Sequence, residues 1–173
     1  MLWVNLIMDT FAALALASLP PNSIVMTDKP RRSTDSIISR PMMWFIIGFG
    51  VLFATFMITG FYYLLHMHGD HMIHQFLDKK EVAFYFSTFV FLQFWNMFNA
   101  RAFMSGHSAF HNIGGSKVFF AVIAVIFVGH ILIVQLGGAM FGCAPMGLRE
   151  WAMVIGGTAP VMLIPEIYRI IKH

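Results

Sequence analysis

The 173-residue sequence is 58% hydrophobic and only 11% charged, with a mean hydropathy of +0.74. Soluble domains carry about 25% charged residues, so this balance excludes an ordinary soluble domain and indicates an all-α integral membrane protein. The formal net charge of +3 lies in short loops between apolar stretches, which fits membrane topology rather than a nucleic-acid partner, and the single cysteine, Cys143, excludes an internal disulfide framework or thiolate metal site.

Five hydrophobic spans are predicted, at about residues 2–19, 42–65, 82–103, 118–136 and 151–171, making a bundle of five transmembrane helices in one domain over residues 1–173. The first runs from Leu2 to Leu19 and stops at Pro20 and Pro21, which remove amide donors and restrict the preceding residue. It has neither the positive n-region nor the small-residue cleavage pattern of a secretory signal. The second, Met42 to Leu65, holds no charge at all. The third carries Gln93, Asn96 and Asn99 at three-residue spacing, amides expected to face other helices and not lipid. The fourth carries His130 and Gln135, and the fifth is interrupted by Pro160 and Pro165.

Loop charges alternate along the chain. Lys29, Arg31, Arg32 and Arg40 follow the first span, Arg101 and Lys117 join the third to the fourth, and Lys172 follows the fifth. The opposite side mixes Lys79 and Lys80 with Asp70, Asp78 and Glu81, and Arg149 with Glu150. The positive-inside bias therefore places the first group, and with it the C-terminus, in the cytoplasm, with the lipid bilayer as the surrounding partner.

Within the first span, Asn5 and Asp9 are separated by one helical turn in an otherwise apolar run. A carboxylate at membrane depth costs at least ~2.5–3.5 kcal/mol, so such a residue faces a cavity, a partner or an ion. The i, i+4 spacing puts the amide and the carboxylate on one helix face, and both offer the hard oxygens that calcium or magnesium prefers. Calcium takes about six to eight oxygens, so two side chains supply only part of a site, and Gln93, Asn96 and Asn99 are candidate sources of more. Pairing of Asp9 with a basic group is the competing explanation, but no Lys or Arg lies at matching depth in the other spans.

A second cluster, His66, His68, His71 and His74, lies with Met67 and Asp70 in the loop after the second span. Imidazoles at this density can bind zinc, copper or nickel, although polar residues are ordinary in a solvated loop. His107 and His111 form a sparser pair in the loop after the third span. His130 reads as a hydrogen-bonded packing histidine, with a proton relay as the alternative, and Glu166 as a structural neighbour of Arg169. The chain has no phosphate-cradling glycine loop and no nucleophile paired with a base, so no catalytic centre is expected in it.

The run Leu2-Trp3-Val4-Asn5-Leu6-Ile7-Met8-Asp9-Thr10-Phe11-Ala12-Ala13-Leu14-Ala15-Leu16-Ala17 resembles the sixth membrane helix of P-type calcium-transporting ATPases, most closely the plasma-membrane type. The similarity continues through Pro20-Pro21, Lys29-Pro30-Arg31-Arg32, Phe98-Asn99-Ala100-Arg101, Val134-Gln135-Leu136-Gly137-Gly138 and Leu148-Arg149-Glu150-Trp151. It covers essentially the whole chain, as the sixth to tenth helices of a ten-helix membrane domain.

The resemblance implies a C-terminal portion of an ATP-driven calcium pump in the cell membrane, with calcium as the transported ion, Asn5 and Asp9 as ligands and Gln93 as an auxiliary one. Met8 stands where two-site pumps carry a hydroxyl ligand, and Gln93 where they carry an acidic one; both departures imply one calcium per cycle. The resemblance also implies partners in the same pump outside these residues: the N-terminal helices, the phosphorylated aspartate and the domains that use Mg-ATP. The translocase activity would belong to that whole, and these residues alone would be inactive. The alternatives are a pump for another divalent cation, such as manganese or magnesium, and a non-enzymatic module that binds transition metals through the loop His66 to His74.

Overall fold

The computed structural model describes residues 2–19, 36–67, 79–103 and 107–172, and the regular elements among them are all helical. In chain order they are α1 (Leu2–Ala17), α2 (Arg40–Met67), α3 (Lys79–Ala102), a short 3-10 turn (Ile113–Ser116), α4 (Lys117–Leu136), α5 (Gly138–Phe141), α6 (Leu148–Thr158) and α7 (Pro160–Lys172). Two helical stretches, Arg40–His66 and Gly114–Leu136, are long and apolar enough to cross a membrane, and Met8–Ala17 is a shorter apolar helix. By packing, the chain divides into two units, one of Met1–Pro21 with Leu77–His173 and one of Asn22–Phe76.

The second unit contains α2. Ser39 starts this helix by accepting a hydrogen bond from Met42 N on its side chain at 3.4 Å and from Met43 N on its carbonyl at 2.9 Å. Pro41 is tolerated because a first-turn N–H has no partner in any helix. Phe45, Phe49 and Phe53, four residues apart, stack along one face with ring centroids 4.7 and 5.8 Å apart. Ile46, Ile47, Val51, Leu52, Phe56 and Ile58 are exposed within this unit, as expected of a helix that meets lipid or other helices instead of its own chain.

In the first unit α3 is the central element and packs against α1, α4, α6 and α7. Its apolar residues go all the way round, which is the pattern of a helix enclosed on every side. Val90, Phe91, Leu92, Phe94, Met97 and Phe98 are all buried. Phe91 meets Phe127 at 5.6 Å and Trp151 at 6.1 Å, and Phe98 meets Phe119 at 6.1 Å, so aromatic edges bind α3 to both α4 and α6. Each such pair contributes about 0.5–1.5 kcal/mol beyond its buried area.

The last hydrophobic stretch is two helices, because Pro160 cannot donate to the carbonyl one turn earlier and instead opens α7 at a position where no donor is needed. Pro165 lies inside α7 without ending it. It leaves the Val161 carbonyl without its helical donor, and the Asn99 side chain of α3 supplies one, Nδ2 to Val161 O at 2.8 Å. One turn earlier on α3, Trp95 Nε1 donates to Thr158 Oγ1 at 2.9 Å. Thr158 in turn donates to Val154 O at 2.7 Å. The two α3 residues thus hold the chain on both sides of the break.

A tight corner joins α4 to α6. Gln135 holds both backbone groups of Met146, donating to its carbonyl at 2.9 Å and accepting from its N–H at 3.0 Å. Glu150 accepts from Gly147 N at 2.5 Å and so satisfies an amide at the start of α6. Gly137 is required by close approach, since a methyl group there would collide with the Ile133 carbonyl oxygen.

Candidate functional site

Helix α1 packs on α4 and α3 through one stripe. Met8 and Ala15 are buried, and Ala12, Leu16 and Leu19 pack partly buried against the core. Those positions fall at i, i+4, i+7, i+8 and i+11, the repeat of a single helix face. Asp9, about 100° further round from Met8, flanks this stripe and is exposed, as are Leu6, Phe11 and Leu14. Thr10 turns inward on its own helix and donates to Leu6 O at 2.9 Å. The carboxylate therefore sits beside the packed seam of an apolar helix with no hydrogen bond or ion pair to another described residue. The backbone of α1 carries Asn5 one turn before Asp9; the Asn5 side chain lies outside the described residues.

The three amides of α3 separate into different environments. Gln93 is half-buried and has no described hydrogen bond. Asn99 is fully buried at 0% exposure, with its amide nitrogen committed to Val161 O. Its oxygen, like the Asn96 side-chain oxygen, is buried without a hydrogen-bond partner. Gln93 and Asp9 belong to the same unit, on helices that pack together, and no hydrogen bond joins them.

His66 closes α2, exposed and stacked on Tyr62 with centroids 6.3 Å apart. His68, His71 and His74 lie outside the described residues. Among the described residues no three His, Cys, Asp or Glu side chains come together as a metal site. His107 and His111 are exposed and stacked at 4.5 Å. His130 is buried between α3 and α6, bonded through Nε2 to Ser87 Oγ at 3.0 Å and ringed by Phe86, Phe91 and Trp151.

A residue that sequence reasoning assigned only to loop charge organises one end of the bundle. Arg101 Nη1 donates to Ala109 O at 2.6 Å, and its Nη2 donates to His111 O and to Ser116 Oγ, both at 2.8 Å. The guanidinium lies 5.1 Å from the ring centroids of both Phe119 and Phe120. Glu166 of α7, buried, accepts from Ala109 N at 3.3 Å on the other side of the same loop. The planar, always-charged fork of arginine suits three acceptors at once. Nothing in the linear sequence distinguishes such an arginine from an ordinary topology-setting charge.

A family model described as "Cation transporting ATPase, C-terminus" matches residues 1–171. The chain is similar to plasma membrane calcium-transporting ATPase 3 of Homo sapiens, 34% identical over 156 residues that cover 87% of this chain and 13% of the relative. It is similar to plasma membrane calcium-transporting ATPase 1 of Mus musculus, 34% identical over 155 residues, 87% of this chain and 13% of the relative. Plasma membrane calcium-transporting ATPase 2 of Oreochromis mossambicus is 35% identical over 156 residues, 87% of this chain and 14% of the relative.

Proposed function

This chain belongs to the cation-transporting ATPase C-terminal family, on the plasma-membrane calcium-transporting branch, and from that premise we propose that it supplies part of the intramembrane site of a calcium pump. Asn5 and Asp9 of α1 are the ligands it contributes, and Gln93 of α3 is the auxiliary one. Helices α1, α2, α3 and α4 are four of the five membrane spans, and the broken pair α6 and α7 is the fifth, with the C-terminus cytoplasmic.

The observation that carries the reading is the position of Asp9. An exposed carboxylate on an apolar helix, beside the stripe that packs on α3 and α4, is costly in lipid unless it meets compensating charge. A hard divalent cation supplies that charge, and the preceding-turn amide at position 5 supplies a second oxygen. The chain spans 13–14% of the length of these relatives, so phosphorylation, Mg-ATP use and the remaining ligands belong to residues outside it.

Radioactive calcium uptake into inside-out vesicles by the complete pump polypeptide tests this. Asp9→Asn and Asn5→Ala should each cut calcium affinity tenfold or more while ATP binding persists. Undiminished uptake in the double variant would overturn the assignment, and manganese or magnesium uptake of equal affinity would replace calcium as the ion.

A further inference from the structure

The two orphaned oxygens on α3 are the feature that the reading above leaves unused. The Asn99 amide cannot be turned round, because its nitrogen donates to Val161 O and the reverse orientation would set oxygen against oxygen. Its Oδ1 is therefore an acceptor, fully enclosed, with no donor in reach. Asn96 Oδ1, one turn earlier, is in the same condition. Buried acceptors are nearly always satisfied, and two together on neighbouring turns call for a shared partner. Every group left wanting here is an oxygen lone pair, so the partner must be electron-poor.

We infer that the Asn96 and Asn99 carbonyl oxygens form a second, weak cation site on α3, distinct from the one that contains Asp9. The ion's identity, calcium, rests on the reading of the chain as part of a calcium pump; the existence of the site rests on the orphaned oxygens. Each amide rises about 4.5 Å along the helix from the last, so Gln93, Asn96 and Asn99 make a ladder of oxygens ending one turn from the end of α3 at Ala102. Neutral carbonyls bind ions without the grip of a carboxylate, which suits a place where an ion pauses and leaves. Asn99 also holds α7, so ion binding there acts on the same side chain that secures the last span.

Terbium, a hard trivalent probe of calcium sites, titrated into the full 173-residue chain in lipid nanodiscs tests the inference through tryptophan-sensitised luminescence. Wild-type chain should show a component that calcium displaces and that weakens at least tenfold in Asn96→Ala, a substitution that removes no hydrogen bond. Asn99→Leu should do the same, with its folding checked by circular dichroism. Asp9→Asn should leave this component within twofold. A titration unchanged in Asn96→Ala overturns the inference, as does a component lost equally in Asp9→Asn, which would mean one joint site. Because the readout is binding and not transport, it stands apart from the uptake assay: transport that survives loss of Asp9 defeats the pump-ligand reading and leaves this one intact.

Discussion

Asn99 donates to the one carbonyl of α7, Val161, that Pro165 leaves without a helical partner, at 2.8 Å across two helices. A side chain on one element thus completes the hydrogen bonding of another at the point where proline breaks it, and the helix runs through Pro165 unbroken.

The two residues should therefore be energetically coupled. Asn99→Leu should destabilise the chain by about 1–3 kcal/mol, because it strands a buried carbonyl. In a Pro165→Ala background the helix regains its own N–H donor to Val161, and the cost of Asn99→Leu should fall by at least about 0.5 kcal/mol. Reversible unfolding of the four variants in detergent measures the cycle; strictly additive costs would show that the bond does not compensate the proline.

Arg101→Lys keeps the charge but loses the fork that reaches Ala109, His111 and Ser116. Amide exchange across residues 107–116 should speed up by roughly tenfold, while exchange at Ile123 to Val134 in α4 stays as it was. Hydrogen-exchange mass spectrometry of both variants reads this directly, and equal exchange in the loop would reduce Arg101 to a surface charge.

Cys143 is buried at the α4–α6 corner, and burial pushes its thiol pKa up from the ordinary value. Only thiolate reacts readily, so both effects oppose modification. Maleimide labelling near neutral pH should be roughly a hundredfold slower than for an unfolded control. Labelling at the control rate would mean that the corner is open in solution.

Much of the architecture could be read in advance where one physical requirement dominates. An uncharged stretch from Met42 to Leu65 can hardly be anything but a long apolar helix, and α2 is one. The amide spacing on the third span pointed to inter-helix contacts, and Asn99 makes one to α7, whereas Gln93 stays half-buried without a described bond. Pro160 and Pro165 look alike in the sequence, yet only the first separates two helices. The difference lies in whether a distant side chain can serve the stranded carbonyl, which no local pattern encodes. Arg101 and the Gln135 clamp on Met146 went unread for the same reason: their partners are backbone carbonyls, which every residue has. At the candidate cation site, Asp9 and Asn5 were legible because a carboxylate in an apolar run is conspicuous. The orphaned state of the Asn96 and Asn99 oxygens was not, since it depends on what fails to surround them.

Trp95 and Asn99 grip the chain on either side of the discontinuity at Ala159. Bending at that point would shear both bonds at once, so the gap is splinted and is no free joint. Any tilt of α3 must therefore carry α6 and α7 along together, as a single lever.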